Sequence, residues 1–116
     1  MTYEDLLIVP YKANGRDERG MDCYGLVIEL CKRNGVYLKD LAYVKDIPAE
    51  QLYDFVTQFG AIEVDIPRAG LIAQWNYGGH LHVGYMVSKK VCIHMTFTGV
   101  QVVPIDAIKC VKYFEV

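Results

Sequence analysis

Cys23 and three histidines are the residues whose types and order could do nucleophilic chemistry in this chain. A cysteine nucleophile needs a base that takes its proton and returns it to the leaving group, and a further group that holds the base in one tautomer. The three histidines, His80, His82 and His94, all follow Cys23 by more than fifty residues. His80 and His82 are two apart and share a face of any strand that carries them. His94 shares its strand face with Cys92 and Thr96. Taken singly, each histidine reads more readily as a hydrogen-bonded strand residue, and Cys23 as a buried inert thiol, because free cysteine is among the most buried residue types. Cys31, two turns deeper on the same face, is read as buried and structural. His80-x-His82 with Cys92-x-His94 offers four possible zinc ligands on neighbouring strands. The paired-cysteine spacings of structural zinc sites are absent, so no metal is expected.

The elements that must position these residues follow from pattern. Cys23, Val27, Leu30, Cys31 and Asn34 recur at spacings of three and four, which predicts a helix from Asp22 to Asn34. Asp22 is its expected N-cap and Gly35 its stop. Cys23 then sits in the first turn, where unpaired N–H groups and the helix dipole favour a thiolate and an oxyanion. Asp22 beside it opposes the thiolate unless a cation is near. A short helix is expected before Pro10, a loop over Asn14–Gly20, and a second helix from about Pro48 to Phe59. After Gly60 come β-rich runs: Leu71–Tyr77, Leu81–Ser88, Val91–Phe97, Val100–Val103 and Cys110–Val116. Gly78-Gly79, Ser88-Lys89-Lys90 and Thr98-Gly99 separate most of them. Tight turns between close strands predict an antiparallel sheet, and helices before sheet predict an α+β fold.

Composition excludes some functions. At 116 residues and 53% hydrophobic, the chain is sized for one domain, 1–116, with a real core. A net charge of −2 with scattered basic residues makes nucleic acid a poor partner. The start, Met1-Thr2-Tyr3-Glu4-Asp5, is acidic and precedes only a short apolar stretch. No signal peptide or membrane insertion is therefore expected, and synthesis is placed in the cytoplasm. The four cysteines are expected as reduced thiols.

Longer motifs add a resemblance. Pro10-Tyr11-x-x-Asn14-Gly15 followed by Gly20-Met21-Asp22-Cys23-Tyr24-Gly25-Leu26-Val27 resembles the N-terminal signature of the NlpC/P60 cysteine peptidases, a papain-like group. Pro67-Arg68-Ala69-Gly70-Leu71-Ile72 looks like the family's P-x-x-G-D-(I/V) stretch. His82-Val83-Gly84-Tyr85 looks like its H-V-G-(I/V)-Y strand, and Ile93-His94 like the strand of the orienting residue. The resemblance implies catalytic Cys23, His82 and His94, with Tyr11 and Asp22 supporting them, and selects His82 over His80 through the V-G-Y tail. It implies a nucleophile helix packed on an antiparallel sheet, no cofactor, and hydrolysis of a peptidoglycan stem peptide. Leu71 stands where the family has an acid. Tyr24 after the nucleophile and Asn34-Gly35-Val36-Tyr37-Leu38 look most like the phage tail-associated branch, which implies tail proteins as partners. A structural tail component with a weak or inactive site is the alternative. Acyl transfer to lipid or small amines, seen in superfamily relatives with histidine before cysteine, fits the observed order least.

Overall fold

The computed structural model describes residues 2–40 and 60–116. The helix expected over 48–59 lies outside them. The chain opens on a 3-10 turn, Glu4–Ile8, which anchors Leu6 and Val9 in the core. The stretch expected as a loop instead holds a two-stranded ribbon, β1 (Arg16–Asp17) and β2 (Gly20–Met21). Strands of two residues leave no periodic signal, so turn formers dominated the reading. Helix α1 (Cys23–Arg33) follows, with Asp22 as N-cap and Asn34 as C-cap, and Gly35 takes the left-handed φ of 83° that ends it. Cys23, Val27, Leu30 and Cys31 are buried as their spacing predicts, Leu26 joins them, and Asn34 of the same pattern is exposed. Burying each leucine contributes about 2 kcal/mol.

The remaining strands are β3 (Ile62–Val64), β4 (Ile72–Tyr77), β5 (His80–Met86), β6 (Val91–Thr96), β7 (Gly99–Pro104) and β8 (Lys112–Glu115). They form one antiparallel sheet in the order β3-β8-β4-β5-β6-β7. β3 carries no sequence signal because Ile62 and Glu63 are exposed and the strand pairs only with β8. Helix α1 packs on β5 and β6. Leu81, Val83, Tyr85, Ile93 and Met95 form the core beneath it with Leu26, Val27 and Leu30. A second cluster, Leu71, Ala73, Trp75, Met86, Cys92 and Ile105, draws on the strand positions between those residues. A 3-10 turn, Ile105–Ala107, supplies its last member.

Candidate active site

The start of α1 is held by one carboxylate. Asp22 is 4% exposed, and its Oδ1 accepts from the Gly25 N–H at 2.7 Å and from Arg16 Nη1 at 2.7 Å. Its Oδ2 accepts from the Asn14 N–H at 3.1 Å. Asp22 is thus committed to capping the helix and closing the preceding loop. Gly25 is needed because a Cβ there would collide with the Gly15 carbonyl, so the glycines of the two motif blocks touch in space. The chain before the helix is threaded by the bonds Lys12 N to Met21 O and Met21 N to Pro10 O. That pairing sets Tyr11 beside Met21 and brings its ring to the wall of the cleft that Cys23 lines.

The histidines are placed by the sheet. The β4–β5 hairpin turns through Gly78 and Gly79, with left-handed φ of 62° and 84°, and its register sets Trp75 opposite His82 and Tyr77 opposite His80. The β5–β6 ladder is short: only Tyr85↔Ile93 and Met86↔Cys92 pair. Continued, that register would set His94 opposite Gly84, diagonal to His82. Gly84 leaves the room. A Cβ there would lie 2.6 Å from Cys92 Sγ and 3.1 Å from His94 Cβ. His82 Nε2 and His94 Nδ1 come within 2.8 Å, a buried hydrogen bond between rings set at 87°. Trp75 packs edge-on against both rings, with centroids at 4.9 Å and 5.2 Å, and Tyr77 stacks on His82 at 4.9 Å and 29°.

Cys23 and His82 line the same cleft, of about 290 Å³, together with Tyr11, Asp22, Tyr77 and Phe97. Tyr11 and Phe97 meet edge to face at 4.8 Å across one end of it. His80 and Leu81 complete its β5 wall. His94 opens instead onto a neighbouring cavity of about 360 Å³, which shares Tyr77 and Thr96 with the cleft.

Burial decides the charge state. It pushes the Cys23 thiol up to about 11, with the Asp22 charge adding to it, while N–H groups of Val83, Tyr24 and Cys23 itself pull the other way. Burial, and then repulsion from His94, pushes His82 down to about 3. Burial also lowers His94 from its ordinary value. The free chain therefore holds a neutral thiol and two neutral imidazoles. Burial thus works against the thiolate favoured by the helix start: the dipole is worth about 0.3–1 kcal/mol, whereas raising the thiol from 9.0 to about 11 corresponds to ~2.7 kcal/mol.

Of the residues singled out from sequence, Cys23, His82, Tyr11 and Asp22 meet at one cleft, and His94 stands behind His82. Cys31 and Cys92 are buried, and burial pushes both thiols up to about 12. Among the described residues, no cluster of three histidine, cysteine or acidic side chains could hold a metal. Leu71, where the resemblance has an acid, is fully buried in the second core cluster. Sequence reading missed Trp75, Tyr77, Phe97 and Arg16. An aromatic residue in a strand looks like core whether it lines a site or not. Arg16 six residues before Asp22 does supply the cation that reading asked for, but the carboxylate takes it at 2.7 Å.

A thiol at a helix N-terminus, with an imidazole in the same cleft that is hydrogen-bonded to a second imidazole behind it, defines a site suited to thiol-dependent acyl chemistry. The NlpC/P60 family model matches residues 8–114, and the chain belongs to that family, a papain-like group of cysteine peptidases that act on cell-wall peptides. A search of curated proteins finds no match. The family and the helix packed on an antiparallel sheet agree with the fold expected from sequence. No helix among the described residues is long and apolar enough to cross a membrane.

Proposed function

We propose that the chain is a cysteine peptidase that hydrolyses an amide bond in a peptidoglycan stem peptide, with Cys23 as nucleophile, His82 as base and His94 as the residue that orients it. The observation that carries this reading is the His82–His94 hydrogen bond at the cleft that also contains Cys23. When His82 Nε2–H donates to His94 Nδ1, the His82 Nδ1 lone pair is left to accept the Sγ proton. The reverse tautomer would put a proton on Nδ1 and leave no base. His94 must be neutral to accept, and its burial keeps it so.

Sγ attacks the substrate carbonyl carbon as its proton passes to His82 Nδ1. The carbonyl π pair becomes the oxyanion, held by N–H groups at the start of α1. The C–N bond breaks and the leaving nitrogen takes the proton from His82, giving a thioester on Cys23 and a free amine. Water, losing its proton to His82, adds to the thioester, and Sγ leaves and recovers a proton. Because both partners are neutral at rest, proton transfer accompanies attack instead of preceding it. The resemblance of Tyr24 and of Asn34-Gly35-Val36-Tyr37-Leu38 to the phage tail-associated branch supports a place at a phage tail, with tail proteins as partners. Incubation with purified muropeptides tests the reaction. One new amine and one new carboxyl per cleaved bond are expected by mass spectrometry, and intact muropeptides throughout pH 5–9, as an assay range around the ordinary histidine and thiol values of roughly 6.5 and 8.5, would contradict it.

One observation favours a second reading, a tail component with a disarmed site. Cys23 is only 7% exposed and its thiol is pushed up to about 11. On that reading iodoacetamide leaves Cys23 unlabelled at neutral pH in the folded chain, whereas a working site is labelled at a rate that falls in His82→Ala.

A further inference from the structure

Among the described residues, Tyr77 is the one ring that belongs to both cavities and also touches His82. It is the last residue of β4, 45% exposed, and its ring lies stacked on His82 at 4.9 Å. It faces His94 at 6.3 Å as well. It lines the cleft of Cys23 on one side and the cavity of His94 on the other. Trp75, two residues earlier, closes the inner side of the same histidine pair and is itself 5% exposed. The histidine pair is thus walled by a fixed buried ring and covered by an exposed one. The two-glycine turn directly after Tyr77 leads into β5, and the hairpin register pairs Tyr77 with His80.

We propose that Tyr77 is a positioning residue for the base: its ring shields the His82–His94 hydrogen bond from water and offers a π face to His82 when that ring becomes an imidazolium. The proposal rests on the reading of His82 as the base. Two physical effects act together. A ring stacked on His82 removes water from one face, which disfavours the charged imidazole in the resting chain. The same π face lies within cation–π distance of His82 and offsets part of that cost when the ring is charged, which a purely aliphatic cover would not do. The cover also prevents water from competing with His82 Nε2–H for His94 Nδ1, which would release the ring to flip. The groups that face or flank His82 are Cys23 and Asp22 from the start of α1, Tyr11, His80 on its own strand, His94 from β6, and Tyr77 with Trp75 from β4. Asp22 is the one acidic side chain among them, and it is paired with Arg16.

The test is the ¹⁵N NMR titration of His82 in the folded chain, compared among wild type, Tyr77→Phe, Tyr77→Leu and Tyr77→Ala. It reads the tautomer and midpoint with no substrate present. Tyr77→Ala is expected to raise the His82 midpoint toward its ordinary value by at least about one pH unit and to mix the two tautomers. Tyr77→Phe is expected to behave as wild type, because the ring and not the hydroxyl is used. Tyr77→Leu keeps bulk without a π face: it is expected to hold the midpoint low yet reduce Cys23 alkylation by iodoacetamide about tenfold at neutral pH. A Tyr77→Ala chain that titrates as wild type with one tautomer would overturn the proposal, as would a Tyr77→Phe chain that behaves like Tyr77→Ala. If muropeptides stay intact with wild type, the peptidase reading fails while the NMR comparison still decides the role of Tyr77.

Discussion

His82 Nε2 and His94 Nδ1 lie 2.8 Å apart, and on the proposed reading this bond leaves Nδ1 of His82 as the nitrogen that takes the thiol proton. Two neutral imidazoles can share one hydrogen in only two ways, and only one leaves His82 with a free lone pair on Nδ1. His94→Ala is therefore expected to reduce muropeptide cleavage about 10²–10³-fold, within the range assigned to an oriented acid–base catalyst. His94→Asn, whose amide oxygen can accept the same bond, is expected to recover roughly a tenth or more of the activity. Steady-state rates on one muropeptide decide this, and equal loss in both variants would argue against an orienting role.

Stability should depend on pH through His82. Its folded value, about 3, lies below the ordinary 6.5 of the unfolded chain, so the unfolded chain binds more protons between those values. The contribution is complete above pH 6.5 and is lost as pH falls toward 3. From pH 7 to pH 5 it amounts to about 2 kcal/mol, or a urea midpoint lower by about 1 M. Urea titrations at the two pH values check this against His82→Asn, which should lose much of the slope. A wild-type slope matching that of the variant would mean that His82 is solvated.

Gly84 should resist the smallest substitution. Its added Cβ would lie 2.6 Å from Cys92 Sγ and 3.0 Å from the Ile93 carbonyl oxygen. Gly84→Ala is expected to cost roughly 1–3 kcal/mol and to displace His94. Removing the sulfur as well, in Gly84→Ala with Cys92→Ala, should return part of that stability. Denaturant midpoints of the single and double variants decide it, and a Gly84→Ala chain as stable as wild type would show the two strands to be further apart.

Asp22 is expected to act on stability more than on the chemical step. Asp22→Ala removes the N-cap and leaves Arg16 without its buried partner, at a cost of about 2 kcal/mol and a melting temperature lower by roughly 10 °C. Asp22→Asn keeps an acceptor for the Gly25 N–H and should lose about half as much. Thermal melts separate the two. If Asp22→Ala melts as wild type yet loses substrate affinity, Asp22 is a substrate contact and not a cap.

Part of this site is legible in the sequence. The glycines that looked like motif letters have steric reasons: Gly25 passes the Gly15 carbonyl, and Gly84 makes room for His94. Cys23, Val27, Leu30 and Cys31 follow from spacing and are buried, whereas Asn34, on the same spacing, is exposed at the helix end and Leu26 joins the buried face without having been part of that pattern. Other features depend on contacts that no local pattern encodes. β3 is an exposed three-residue edge strand, and the ribbon of β1 and β2 hides in a turn-rich run. Trp75 and Tyr77 alternate like any core strand, and only the hairpin register brings them onto the histidines. The burial that raises the Cys23 thiol is not legible in sequence, because the dipole follows from the helix start whereas desolvation depends on what the sheet places over Cys23.

The most direct measurement compares muropeptide cleavage by wild type, Cys23→Ala and Cys31→Ala, each verified as folded. Cys31 is the internal control: a second buried thiol on the same helix, pushed up to about 12 and absent from the cleft. With Cys23 as nucleophile, Cys23→Ala loses cleavage by at least about 10³-fold while Cys31→Ala stays within about threefold of wild type. Cleavage that survives in Cys23→Ala, or that disappears equally in both, would contradict the assignment of Cys23.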